Sequence, residues 1–306
     1  MKYAFVTQSY KADYNECCLL CKSIDRFAAG IDHYVFVNDE DFKLFQSLNY
    51  GSHKIYKKSS ILPWYLIRIP WKILGHKFYV SFWTYPVREW IVQQICKLGI
   101  FEIIGDSYDA VFHLDSECIF MRSFDVFQWY REGKYEMYKI PYGNGYTIEP
   151  SHEDYCKAVI DLLKLELNYD EIAQYNYMSN FVCFERKNVE SLLSYLSLNY
   201  GLGGWKRALC NQYRFSEFYT YGIYYDHILK SDNHFVITKR PFIQIDRSYG
   251  SGKEDFELKM EKLLEDNKDV MGVIVQKDSR KSKAEDYLQF DELSDIIHSY
   301  WKRNYK

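Results

Sequence analysis

Short apolar runs separated by polar breaks dominate the first third of the chain. Tyr3-Ala4-Phe5-Val6 and His33-Tyr34-Val35-Phe36-Val37 read as buried strands. Between them Cys17, Leu20, Cys21, Ile24, Phe27 and Ala28 recur at helical spacing, with Asp13 or Asn15 placed to cap the helix and Gly30 to stop it. A third apolar run, residues 110–114, leads into Asp115-Ser116-Glu117, and a fourth, residues 118–121, follows directly. A helix starting at Pro86 buries Val87, Trp90, Ile91, Gln94, Ile95 and Leu98 on one side and ends at Gly99. Beyond it the pattern predicts strands at 135–140, 181–184, 235–238, 242–245 and 270–275. Helices are predicted at 153–167, 189–198, 254–265 and 291–301, with a turn-rich loop at 142–146 and a flexible connection at 201–205. Strands alternating with helices predict an α/β fold: a central mixed, mostly parallel sheet flanked by helices. The absence of repeats or low-complexity linkers favours one domain.

Composition narrows the classes. The 306 residues are 47% hydrophobic, enough for a large core, and a formal net charge of −3 argues against a nucleic-acid partner. Thirty Tyr residues help raise aromatic content to 19%, which suits either a sugar-binding cleft or a core and interface filler. No run of about 18 apolar residues spans a membrane. Met1-Lys2 runs straight into the first strand without an apolar leader, and eight cysteines in apolar settings fit reduced thiols, so a cytoplasmic setting is expected. Cys18 and Cys21 form a C-x-x-C with no second pair to complete a zinc site, and the spacing reads instead as a buried helix face. Residues 61–83 are apolar and aromatic, carry Pro63 and Pro70, and have Arg68, Lys72 and Lys77 as their charges. The prolines forbid one long helix. The segment reads as a folded insertion into the core, with a cleft cover or a peripheral membrane contact as the other options.

Candidate chemistry gathers at strand ends. Asp115 and Glu117, two residues apart where the backbone leaves a strand, can turn both carboxylates toward one point, an arrangement suited to Mn²⁺ or Mg²⁺. Thr7, Ser9, Tyr10 and Asp39 follow the first two strands, where an open parallel sheet binds nucleotides. No G-x-G-x-x-G follows the first strand, which excludes the dinucleotide-binding fingerprint. Gln94, inside an apolar stripe, together with Gln93 and Lys97, offers an amide and an ammonium to the same site.

The order of these motifs resembles the GT-A nucleotide-sugar glycosyltransferases, in particular a bacterial branch associated with surface polysaccharides. The resemblance rests on the Thr-x-Ser-Tyr loop, the strand ending in Asn38-Asp39, and the helix bearing Trp90, Gln94, Lys97 and Leu98. It continues through Leu114-Asp115-Ser116-Glu117, Ser179-Asn180 and the Ser216-Glu217 to Tyr221-Gly222 box. It spans roughly residues 1–245, the implied transferase core, with 246–306 as a C-terminal extension packing on it. Glu117 stands where the superfamily more commonly has Asp. The resemblance implies Mn²⁺ or Mg²⁺ at Asp115 and Glu117, with His227 or His234 completing the shell. It also implies Thr7, Ser9, Tyr10, Asp39, Gln94, Lys97 and Ser116 around the nucleotide-sugar, and Glu217 as the catalytic carboxylate. The implied partners are a nucleotide-diphosphate sugar donor and a glycan or lipid-linked acceptor, the latter met at the inner membrane face. A catalytically inactive nucleotide-binding relative, a metal-dependent phosphohydrolase and a non-enzymatic partner-binding protein are the competing classes.

Overall fold

The computed structural model describes residues 2–73, 75–142, 151–230, 234–237, 240–247, 252–276 and 288–305, with backbone alone at 234–237. The turn expected at 143–146 and the side chain of His234 lie outside the described residues.

Valine, phenylalanine and tyrosine runs build a five-stranded sheet in the order Phe181–Glu185, Ala110–Asp115, Tyr3–Gln8, His33–Val37, His53–Lys57. Four of these strands are parallel, and Phe181–Glu185 runs antiparallel to Ala110–Asp115. The fold is the α/β arrangement of a mostly parallel sheet flanked by helices. Side-chain alternation sends Ala4, Val6, Phe36, Val111 and Phe184 to one face, where they meet the apolar side of helix Glu89–Leu98. Phe5, Phe112, Leu114 and Phe181 face the other way, toward helix Tyr14–Phe27 and the C-terminal segments.

A smaller sheet abuts the first. Cys118–Phe120 continues from Asp115 after a two-residue turn and pairs antiparallel with Gly272–Gln276, which pairs in parallel with Phe242–Asp246. Helices Lys253–Asp266 and Phe290–Asn304 supply Phe256, Met260, Leu264, Leu293, Ile296 and Ile297 to the core that holds Phe5 and Phe112. The C-terminal segments are therefore built into the same core as the first strand.

The segment read as a core insertion is mostly surface. It forms a ribbon of Ile67–Arg68, Phe78–Val80 and Val87–Arg88. Only a few of its residues, among them Ile61, Leu66 and Tyr79, enter the core, while Trp64 is 84% exposed and Ile67, Trp71, Phe82, Trp83 and Tyr85 are exposed with it. The ribbon delays the next helix to Glu89, so Pro86 precedes it rather than opening its first turn. Among the described residues no helix is long and apolar enough to cross a membrane.

Candidate functional site

The carboxyl ends of the parallel strands converge at the Asp115–Glu117 turn. Asp115 lies opposite Gln8 in register, and its Oδ2 accepts from Asn180 Nδ2 at 2.6 Å. Gln276 Nε2, from the smaller sheet, donates to Glu117 Oε2 at 3.1 Å. Each carboxylate is thus held by an amide through one oxygen. Ser116 Oγ, between them, reaches the Gln8 carbonyl at 3.4 Å.

Two more acids join from the start of the first helix. Asp13 makes no capping hydrogen bond. Burial first, then the charge of Glu16, raises its carboxyl to about 6. Glu117 is raised to about 7, chiefly by burial, with Asp115, Asp13 and Glu16 adding repulsion against the relief from Gln276. Glu16 is paired with the buried Arg247. Among the described residues, Nε and Nη1 of Arg247, both amide atoms of Gln8 and the Ser9 hydroxyl are buried without hydrogen-bond partners. Crowded acids that resist ionisation beside unsatisfied polar atoms are the kind of donor set that a divalent cation relieves.

A cleft of about 300 Å³ opens from Asp115 and is lined by Gln94, Lys97, Ser179, Asn180 and Glu217 among others. Helix Glu89–Leu98 presents Trp90, Gln93, Gln94 and Lys97 to it on one face. Gln94 Nε2 donates to the Trp90 carbonyl at 3.1 Å. Glu217 opens helix Glu217–Tyr224, is 1% exposed, and lies with Oε1 2.7 Å from Lys97 Nζ. Burial alone would lower the Lys97 ammonium, but Glu217 and Asp115 outweigh it and raise it. Lys97 therefore sits between the two acids, in contact with the Phe218 ring 4.4 Å away. A wider recess of about 580 Å³ adjoins through Trp90, Gln93 and Tyr155; Tyr10, Lys77, Arg88 and Arg214 also line it.

Asp115, Ser116, Glu117, Gln94, Lys97 and Glu217 thus come together, and Tyr10 lines the adjoining recess. Three expected contacts stand elsewhere. Thr7 is fully buried on the Phe5 side of its strand, where its hydroxyl meets His33 Nε2 at 2.9 Å. Asp39 ties down the next turn through the Ser59 hydroxyl at 2.7 Å and is not among the residues lining either cleft. His227 follows Glu217 by ten residues of continuous helix, which carries it about 15 Å along the axis. Its imidazole is lowered by burial, and its charged neighbours are Asp226, Lys139, Lys230 and Glu171 rather than the Asp115 group. It does not complete the shell. Asp13, Glu16, Gln8, Arg247 and Gln276 are the site residues that sequence reading missed. Asp13 carried a signal, but it was absorbed by the expectation of a helix cap.

No curated protein sequence matches the chain significantly. Among solved structures, it is similar to the bifunctional glycosyltransferase WbbM in apo form, at 11% identity over all of this chain and 52% of that one, TM-score 0.46. It is also similar to apo GlyE of Streptococcus pneumoniae TIGR4, at 10% identity over all of this chain and 64% of that one, TM-score 0.40. A third is the galactosyltransferase LgtC in complex with donor and acceptor sugar analogues, at 11% identity over 98% of this chain and 99% of that one, TM-score 0.42. The chain spans about half the length of WbbM and under two thirds of GlyE. One family model covers nearly the whole chain, from the first strand into the last helix, and by that match over residues 4–296 the protein belongs to DUF6492, a family of unknown function.

Proposed function

We propose that the protein is a glycosyltransferase of GT-A type that moves a sugar from a nucleotide-diphosphate donor to a hydroxyl of a glycan or lipid-linked acceptor in bacterial surface-polysaccharide synthesis. The observation that carries this reading is one cleft lined both by Asp115, which opens the acid-rich turn, and by the Glu217–Lys97 pair. Asp115 and Glu117 hold Mn²⁺ or Mg²⁺, which supplies charge neutralisation at the diphosphate leaving group when bound. Asn180 and Gln276 each hold one oxygen of these carboxylates and would steady them for a cation. Gln8, Ser9 and Ser116 offer polar atoms to the donor, Tyr10 a ring, and Gln94 and Lys97 contact its sugar or phosphate. In the transfer, the bond between the anomeric carbon and the diphosphate oxygen breaks as the bond to the acceptor oxygen forms. Glu217 is the carboxylate on the acceptor side, taking the hydroxyl proton or stabilising the positive anomeric centre.

The exposed aromatic ribbon adjoins the basic recess, since Lys72, His76 and Lys77 belong to both. A lipid-linked acceptor entering from a membrane surface fits this pairing.

Calorimetry with UDP, CDP and GDP tests the reading. At least one nucleotide should bind far better with Mn²⁺ or Mg²⁺ than with chelator, and Asp115→Asn or Glu117→Gln should each abolish that gain. Equal affinity in EDTA for all three would count against it. The pH dependence has a definite sign. Glu117 moves from the ordinary 4.5 to about 7 in the fold, so over that window the folded chain binds more protons than the unfolded one. Stability of the metal-free protein should therefore fall as pH rises across it, while Mn²⁺ affinity, which requires that proton to leave, should increase.

A further inference from the structure

The buried groups that the cleft does not use gather beneath the first helix. Helix Tyr14–Phe27 carries Cys17, Cys21 and Asp25 on one stripe, each four residues after the last. The adjacent strands His33–Val37 and His53–Lys57 begin with His33 and His53, which are directly paired in register. Cys21, His33 and His53 are all at most 1% exposed. Cys21 Sγ lies 3.9 Å from His33 Nδ1, the two Nδ1 atoms are 3.0 Å apart, and one ligand atom from each residue lies within 4.8 Å of the others. A tetrahedral zinc ion with bonds of about 2.3 Å to sulfur and 2.0–2.1 Å to nitrogen needs S···N near 3.5 Å and N···N near 3.3 Å, a few tenths of an ångström from what is seen.

The outer contacts select the same atoms. His53 Nε2 meets Asp25 Oδ1 at 3.1 Å, and His33 Nε2 meets the Thr7 hydroxyl at 2.9 Å. A carboxylate on Nε2 places the His53 proton there and leaves Nδ1 as a bare lone pair, the second-shell pattern of zinc-binding histidines.

We infer that Cys21, His33 and His53 form a buried structural zinc site that clamps the first helix to the second and third strands. The C-x-x-C of Cys18 and Cys21 is not the pattern that matters: Cys18 lies partly outside, and Cys21 is joined instead by one histidine from each of two parallel strands. Binding displaces the thiol proton to solvent and leaves sulfur as thiolate. The clamp is distinct in chemistry from the all-oxygen Asp115–Glu117 site, which favours harder cations.

Elemental analysis of the full chain purified from zinc-supplemented cells should find about one zinc per chain. Cobalt substitution should give thiolate-to-metal charge transfer in the near ultraviolet together with tetrahedral d–d bands. The Asp115→Asn/Glu117→Gln double variant should retain both metal and bands. Asp25→Asn, at a partly exposed position that leaves all ligands in place, should weaken zinc binding by roughly 10–100-fold. Cys21→Ala and His53→Gln should lose the cobalt bands, with circular dichroism confirming the fold. Where these variants fail to fold, the wild type decides: a zinc-selective chelator should lower its Tm, and zinc alone should restore it. Wild-type protein that holds no zinc, gives no thiolate band with Co²⁺ and keeps its Tm under chelation would overturn the site and leave a hydrogen-bonded chain from Thr7 through both imidazoles to Asp25.

Discussion

A carboxylate as enclosed as Glu217 needs a counter-charge, and Lys97 supplies it from the neighbouring helix. Two roles fit such a pair, and they separate kinetically. If Glu217 acts on the acceptor, Glu217→Gln should leave KM for the donor within a few-fold and lower kcat by roughly 10²–10⁴. If the pair only braces two helices, the same change should lower Tm and affect binding and turnover alike. Asp115 and Glu117 were legible in sequence because their spacing is local. Their supports were not, since Asn180, Gln276 and the Glu16–Arg247 pair come from positions up to 231 residues apart, and an amide or arginine in a long chain carries no mark of what it will face. Thr7 misled for a related reason: the strand runs on to Gln8, so the residue read as loop is strand and its hydroxyl points into the core.

Elements with a clean apolar period were legible, as His33–Val37 and Tyr14–Phe27 illustrate. Those without one were not. His53–Lys57 is an edge strand in which Lys54 and Lys57 interrupt His53, Ile55 and Tyr56, too polar to read as a buried run. Glu217–Tyr224 is buried at every position, so it shows no amphipathic period, and Gly204–Cys210 is hidden by the glycines that start it. The pairing of Cys118–Phe120 with Gly272–Gln276 inside the smaller sheet is the most demanding contact at this scale. A β-carbon on Gly272 would lie 2.0 Å from the Ile119 carbonyl oxygen, so only glycine lets these backbones meet. Gly272→Ala should destabilise by about 1–3 kcal/mol and weaken Mn²⁺ binding with it, since Gln276 ends the same strand. Gly252→Ala, facing open space, should stay within about 0.5 kcal/mol in the same denaturant titration. Equal effects of the two would show that the close approach is not sustained in solution.

For the whole molecule, the uneven surface is the informative feature. Net charge is only −3, yet one side gathers Trp64, Trp71, Phe82, Trp83 and Tyr85 with Arg68, Lys72, Lys77 and Arg88. Apolar rings beside cations suit an anionic lipid surface. Co-sedimentation with vesicles containing anionic lipid should be measurable at low salt and fade as salt rises, because exposed charges are screened within about 10 Å at 0.1 M. Replacing Trp64, Trp71 and Phe82 with Ser should remove it without changing nucleotide binding. An absence of binding at low salt would discard the membrane contact alone.

The two carboxylates at the turn are tied to different sheets. Asp115 ends a strand of the five-stranded sheet, whereas Glu117 is held by Gln276 on the three-stranded one. An ion gripped by both acts as a rivet through a seam. By reciprocity, whatever tightens the seam must raise affinity for the ion by the same factor that the ion tightens the seam. The spacing of Asp115 and Glu117 is then a gauge of how the two sheets are seated, and residues far from the cleft, in the last sixty of the chain, can retune the centre without touching it.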